Sequence, residues 1–321
     1  MAKRQILMTG PMMRMVMDQL ESAFDVHRYW EADDKDALLA DVGDKIEAIA
    51  VGPHTPIDGP LMSRLPNLKI VSNFGVGYDT VDAVWAGEHD IYVTNTPDVL
   101  TEEVADTTLG LILATVRQLS ESERYLRAGR WEKEGPFPLT KASLRDRRVG
   151  IIGLGRIGKA IARRLDAFRV PVAYHGRNEQ PDVPYGYYPR LVDMAREVDI
   201  LVAVIPGGPE TQNLINAEIL DALGPDGIFI NVGRGTIVDE SALIAALKDG
   251  RIMSAGLDVF EKEPHVPAEL IEMEHVVLLP HVGSASVHTR NRMGQLCVDN
   301  IKTFFETGKP ITPVAETPLR T

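Results

Sequence analysis

The chain has 321 residues, of which 44% are hydrophobic and 25% charged, a composition ordinary for a globular protein and a length that fits about two domains. Its formal net charge is −12, with 46 acidic against 34 basic residues, which argues against a surface that coats nucleic acid, because such binding needs excess positive charge to displace counterions. The single cysteine, Cys297, excludes an intrachain disulfide and a cysteine-based zinc cluster; no metal site is expected, and a reducing, cytoplasmic location is the natural expectation.

Apolar, β-branched runs alternate with helical patterns from the start of the chain. Strands are predicted at 5–8, 26–29, 48–51, 70–72 and 92–94, with helices at 14–24 and 36–42 between them. This βαβ rhythm implies a parallel sheet covered by helices. Residues 1–10 lack the pattern of a signal peptide. Met12, Met13, Met15 and Met17 read as a buried helix face. One long helix is predicted over 101–119. Thr101 is its N-cap, Glu102 and Glu103 put negative charge where the helix dipole favours it, and Leu109, Ile112, Leu113 and Val116 recur at helical spacing. Its apolar run 109–116 is far too short to span a membrane. The polar stretch 120–148, with Gly129, Gly135, Pro136 and Pro138, reads as an extended arm or linker.

A second βαβ series begins at Val149. Its predicted strands are 149–152, 171–174, 200–205, 228–232, 254–259 and 276–279, its clearest helices 156–168, 216–223 and 240–248, and a helix over 286–307 closes the chain. Two related α/β units are therefore expected.

Gly153-Leu154-Gly155-Arg156-Ile157-Gly158 has the spacing G-x-G-x-x-G. Alone such spacing is weak, but here it follows a strand and opens an amphipathic helix, the setting that a dinucleotide site requires. Gly153 permits the tight turn, Gly155 lets backbone approach a pyrophosphate, and Gly158 packs helix on strand. Free N–H groups at the helix start suit the phosphates. An NAD site would place a carboxylate at the end of the second strand. This strand ends Tyr174-His175-Gly176-Arg177-Asn178, and an arginine there accommodates a 2′-phosphate, which favours NADPH while leaving NADH possible. The alternative is that Arg177 is solvated and Glu179 takes the ribose.

Ligands of open α/β sheets sit beyond the carboxyl ends of the strands. Beyond three successive strands here stand Arg234, Glu263 and His281. Hydride addition to a carbonyl builds negative charge on oxygen and needs a proton donor, for which histidine suits neutral pH. A carboxylate beside the imidazole favours its charged form. An arginine binds a carboxylate through two hydrogen bonds and polarises a neighbouring carbonyl. A 2-keto acid presents those two groups side by side. Singly, His281 would read as a core histidine, Glu263-Pro264 as a turn and Arg234 as a loop residue; the joint placement carries the functional reading.

Several segments together carry a family resemblance. They are Asn73-Phe74-Gly75-Val76-Gly77-Tyr78-Asp79, Asn95-Thr96-Pro97 with Val104-Ala105, the Gly153–Gly158 loop, Asn231-Val232-Gly233-Arg234-Gly235, Gly256-Leu257-Asp258-Val259, Glu263-Pro264 and Pro280-His281-Val282-Gly283. The chain resembles D-isomer-specific 2-hydroxyacid dehydrogenases over nearly its whole length. The resemblance implies two Rossmann-like or flavodoxin-like parallel-sheet α/β domains with the active site in the cleft between them. A discontinuous substrate domain would comprise 1–98 and 287–321, and a dinucleotide-binding domain 99–286, with a homodimer interface built on 101–148. It implies Arg234, Glu263 and His281 as catalytic residues, and a substrate grip by Gly75, Val76 and Gly77 with Arg234 and His281. Cofactor contacts would come from the 153–158 loop, Arg177, Asn178, Pro206, Thr211, Val232, Gly233, Asp258 and Gly283, with Asp258 on the nicotinamide carboxamide.

Tyr174-His175-Gly176-Arg177 and His288-Thr289-Arg290-Asn291-Arg292-Met293 are similar to the NADPH-using glyoxylate/hydroxypyruvate reductases of that family. Phosphohydroxypyruvate or a bulkier keto acid stands as an alternative substrate. A dinucleotide-sensing, corepressor-like binding protein is the alternative of another class. Trp131 in the arm reads as packing rather than as part of a substrate pocket.

Overall fold

The computed structural model describes residues 3–52 and 55–319. They form two compact units, one of residues 1–100 with 286–321 and the other of 101–285.

The first unit holds five parallel strands, β1 (Gln5–Met8), β2 (Asp25–Arg28), β3 (Ile46–Val51), β4 (Ile70–Asn73) and β5 (Tyr92–Thr94), in the order β2-β1-β3-β4-β5. This is the flavodoxin-like order. Side chains alternate between faces along each strand. Thus Leu7, Ile49, Val71 and Val93 enter one core, whereas Ile6, Ala48, Ile70 and Tyr92 enter the other, where Val298 and Ile301 of the closing helix Val287–Thr307 meet them. Cys297 on that helix is fully buried against Ser72, and burial pushes its thiol up to about 11. In helix Arg14–Ala23 the buried positions are Val16 and Leu20. The methionines expected there as a buried face are only partly buried, at the rim of this core. Val16 and Leu20, four residues apart, own the inward stripe, and Met15 and Met17 flank it.

The second unit holds seven parallel strands, β6 (Val149–Ile152), β7 (Val172–His175), β8 (Gly186–Tyr188), β9 (Ile200–Ala203), β10 (Ile228–Asn231), β11 (Ser254–Leu257) and β12 (Val277–Leu278). Their order is β12-β11-β10-β9-β6-β7-β8, so the chain reverses direction across the sheet between β6 and β9, the point where doubly wound folds bind dinucleotides. Both faces are covered. Leu201 and Phe229 enter one core, while Ile200, Val202, Ile228 and Ile230 enter the other. That is why these strands read as unbroken apolar runs.

The region 101–148 departs from expectation. Helix Thr101–Val116 stops early, because Gln118 takes a left-handed φ of 50°. The stretch read as an extended arm then continues as helices Leu119–Arg127 and Arg130–Glu134. Its charged composition hides them, yet the charges pair along the helix, Arg127 with Glu123 and Arg130 with Glu134 at 2.9 Å, as residues four apart can. Buried Tyr125 meets Phe137 edge-on at 5.4 Å between ring centres and carries Arg130 over its face. Trp131 is not packed within the chain as expected; it is 61% exposed. No helix of the described residues is long and apolar enough to cross a membrane.

Phe229 is fully buried in the core of the second unit. Phe229→Ala is expected to cost about 3–5 kcal/mol, the range for deleting a buried aromatic side chain, read as a lowered urea midpoint of that unit.

Candidate active site

The glycine loop starts where β6 ends. Gly153 takes φ +96°, and a side chain there would strike Ile205. Its N–H donates to His175 O at 2.9 Å, tying the turn to β7. A side chain at Gly158 would strike the Gly153 carbonyl, so the helix presses directly on the turn. Gly155 behaves differently: it is exposed, it caps helix Arg156–Ala167, and a Cβ there would meet nothing within 4 Å. The direction that must stay free for a pyrophosphate is open, and the first turn of the helix carries no acidic residue. The loop therefore fits a dinucleotide. Leu154 is buried, and its carbonyl accepts Gln180 Nε2 at 2.9 Å; Arg156 is exposed and Ile157 partly buried.

Arg177, Asn178 and Glu179 are all exposed just past β7, the strand beside β6. His175 does not share their freedom, because its Nδ1 pairs with the Tyr188 carbonyl of β8 at 2.9 Å. Past β9, Thr211 Oγ1 donates to Pro206 O at 2.9 Å and closes that loop. Past β10, Asn231 holds the turn from both sides. Its Oδ1 accepts Gly233 N and its Nδ2 donates to Arg234 O, each at 3.0 Å. Val232 N donates to Ala203 O at 3.1 Å, and the partly buried Arg234 reaches Gly233 O at 2.9 Å.

His281 Nδ1 stands 2.7 Å from Glu263 Oε2, while Glu263 Oε1 accepts Phe260 N at 3.1 Å. Burial works to raise the Glu263 carboxyl. The hydrogen bond and charge of His281, the Phe260 N–H and the nearby Arg234 outweigh burial and hold it below the usual carboxylate range. The structure thus brings Arg234, Glu263 and His281 into one electrostatic neighbourhood. With Nδ1 engaged, Nε2 is the ring nitrogen without a partner among the described residues, and the imidazole side is exposed. This arrangement can deliver a proton.

Asp258 shows a role that sequence reasoning missed. It is 2% exposed, its two carboxylate oxygens accept Val282 N at 2.7 Å and Gly283 N at 2.8 Å, and its carbonyl accepts His281 N at 2.9 Å. Burial raises its pKa more than those N–H groups and His281 lower it. Asp258 thereby holds the turn that bears the histidine. Asn231 was missed too; the available signal was an asparagine ending a strand just before a glycine turn, a pattern repeated at Asn73. In the first unit, Gly75, Val76 and Gly77 follow β4 and are partly buried.

Residues 109–283 match the family model for the NAD-binding domain of D-isomer-specific 2-hydroxyacid dehydrogenases. The chain is 49% identical over 309 residues to glyoxylate/hydroxypyruvate reductase A of Arabidopsis thaliana, covering 96% of this chain and 98% of that one. It is 47% identical over 310 residues to hydroxyphenylpyruvate reductase of Plectranthus scutellarioides, with 96% and 98% covered. A crystal structure of the NADPH-dependent glyoxylate/hydroxypyruvate reductase of Sinorhizobium meliloti, in complex with NADP and malonate, is 52% identical. It superposes with a TM-score of 0.95 over 100% of this chain and 99% of that one. By sequence, by strand order and by the residues beyond the strand ends, the chain belongs to the D-isomer-specific 2-hydroxyacid dehydrogenase family.

Proposed function

We propose that this protein is an NADPH-preferring reductase of small 2-keto acids, glyoxylate and hydroxypyruvate first among them, which yields the 2-hydroxy acids. The observation that carries this reading is the 2.7 Å His281–Glu263 pair standing with Arg234 past the strand ends of the sheet that bears the glycine loop. The Arabidopsis and Sinorhizobium relatives, named for these substrates, support it.

NADPH supplies the hydride for the carbonyl carbon. As charge builds on the carbonyl oxygen, His281 Nε2 gives it a proton. Glu263 keeps the ring oriented through Nδ1 and favours its charged form. Arg234 receives the carboxylate and polarises the carbonyl beside it. The N–H groups of Val76 and Gly77 are the donors that the first unit offers to a substrate carboxylate. The 153–158 loop holds the pyrophosphate at a helix start and Arg177 the 2′-phosphate. Asn178, Pro206, Thr211, Val232, Gly233, Asp258 and Gly283 complete the cofactor contacts.

The same reading includes a homodimer and a cytoplasmic location. Leu119, Leu126, Trp131 and Leu139 are each at least half exposed along 119–139, and a concentration of exposed apolar side chains marks an association surface. The lone thiol is buried, in keeping with a compartment that needs no disulfides.

His281→Ala is expected to lower kcat by at least about a hundredfold with glyoxylate and NADPH, within the range of general acid catalysis; a loss below about tenfold contradicts the role. Arg177→Ala should raise the KM for NADPH far more than that for NADH, and equal effects remove the argument for a 2′-phosphate contact. Light scattering should return the mass of two 35.3 kDa chains and Trp131→Glu should shift it toward one; a wild-type protein with the mass of one chain contradicts the dimer.

A further inference from the structure

Three consecutive carbonyls of the loop after β4 are each turned onto a donor. Gly75 O accepts Thr96 N at 2.9 Å and Asn73 Nδ2 at 3.2 Å, Val76 O accepts Asn95 Nδ2 at 2.9 Å, and Gly77 O accepts Asn73 Nδ2 at 2.9 Å. In a trans peptide the C=O and the following N–H point in opposite directions across one plane. Holding the carbonyls of Gly75 and Val76 inward therefore turns the N–H groups of Val76 and Gly77 outward. Neither N–H has a partner among the described residues. Successive backbone N–H groups presented together form an anion-binding concavity that needs no charged side chain.

The two clamping residues sit on firm supports. Asn73 is the last residue of β4 and is 5% exposed; Asn95 directly follows β5, the strand paired with β4. Asn95 is itself fixed, because its carbonyl accepts Thr312 Oγ1 at 2.7 Å, and Thr312 is held by the buried Asn300 of the closing helix at 2.9 Å. The chemistry requires an amide. One Nδ2 group carries two N–H donors, so Asn73 can serve two carbonyls at once, whereas a carboxylate offers only acceptors.

We propose that Asn73 and Asn95 are positioning residues that draw the 75–77 carbonyls inward and so aim the N–H groups of Val76 and Gly77 at the carboxylate of the 2-keto acid. This rests on the reading that the loop grips the carboxylate, and it names what gives the loop that ability. Neither asparagine touches the reacting atoms, so their loss acts on substrate binding and not on the proton or hydride.

The test uses the full-length protein with Asn95→Asp, Asn95→Ala and Asn73→Ser. The readouts are glyoxylate KM, kcat, NADPH KM, the Kd of oxamate for the NADP-bound protein, and thermal unfolding. Asn95→Asp, which sets an acceptor against the Val76 carbonyl, is expected to raise the glyoxylate KM and the oxamate Kd together by about tenfold or more, with kcat within about threefold and NADPH KM unchanged. Asn95→Ala and Asn73→Ser should move the same two quantities by less, and they carry the test if Asn95→Asp does not fold. A purely structural role would lower Tm and kcat while leaving KM and Kd as in the wild type. Folded variants with wild-type KM and Kd, beside an active wild-type enzyme, overturn the clamp alone. A wild-type protein that turns over no 2-keto acid overturns the functional reading and the clamp with it.

Discussion

A buried carboxylate governs the turn that carries the proposed proton donor. Asp258 accepts the N–H groups of both Val282 and Gly283, and that pair of bonds bends the chain sharply enough to leave His281 at a φ of +52°. A left-handed backbone at a residue other than glycine costs about 1–3 kcal/mol. Hydrogen bonds from backbone N–H to an ionised group are strong enough to offset it. The turn is what brings His281 Nδ1 to 2.7 Å from Glu263. Glu263 is in turn fixed by the Phe260 N–H, so both members of the pair are oriented by backbone, and the far nitrogen of the ring is left without a partner among the described residues.

The two sheets build the loops beyond their strand ends by the same rule. All their paired strands run parallel, so their carboxyl ends lie along one edge in each unit, and the turns there are the ones free to differ in sequence. An asparagine closes β10 just as one closes β4. In each case its side chain reaches forward to hold the glycine turn that follows, Asn231 with Gly233 and Arg234, Asn73 with Gly75 and Gly77. The expected ligands are anions and the chain carries a net charge of −12. Backbone N–H groups resolve the conflict, because a helix start at Gly155 and an outward-turned amide pair at Val76 and Gly77 attract anions whatever the net charge. Arg177 and Arg234 add local positive charge where the proposal calls for it.

Much of this was legible in the sequence, for identifiable reasons. Strands such as Ile228–Asn231 and Ile200–Ala203 are covered on both faces and so appear as unbroken apolar runs. Arg234, Glu263 and His281 stood out because each follows such a run at the same sheet edge. The strand Gly186–Tyr188 was not legible, since it is a three-residue edge paired only with β7. Helix Leu119–Arg127 was hidden because its sequence is mostly polar and charged and Tyr125 is its one buried residue. The roles of Asp258 and Asn95 depend on which carbonyl or N–H faces them, a matter of backbone direction that residue type and spacing do not encode.

The most direct measurement of the central claim is a crystal structure of the protein with NADP and oxamate bound. The account predicts the oxamate carboxylate on Arg234, with its carbonyl oxygen at about 3 Å from His281 Nε2 while Nδ1 keeps Glu263. Oxamate bound with its carboxylate away from Arg234, or with His281 turned off Glu263 and out of reach of the carbonyl, would contradict it.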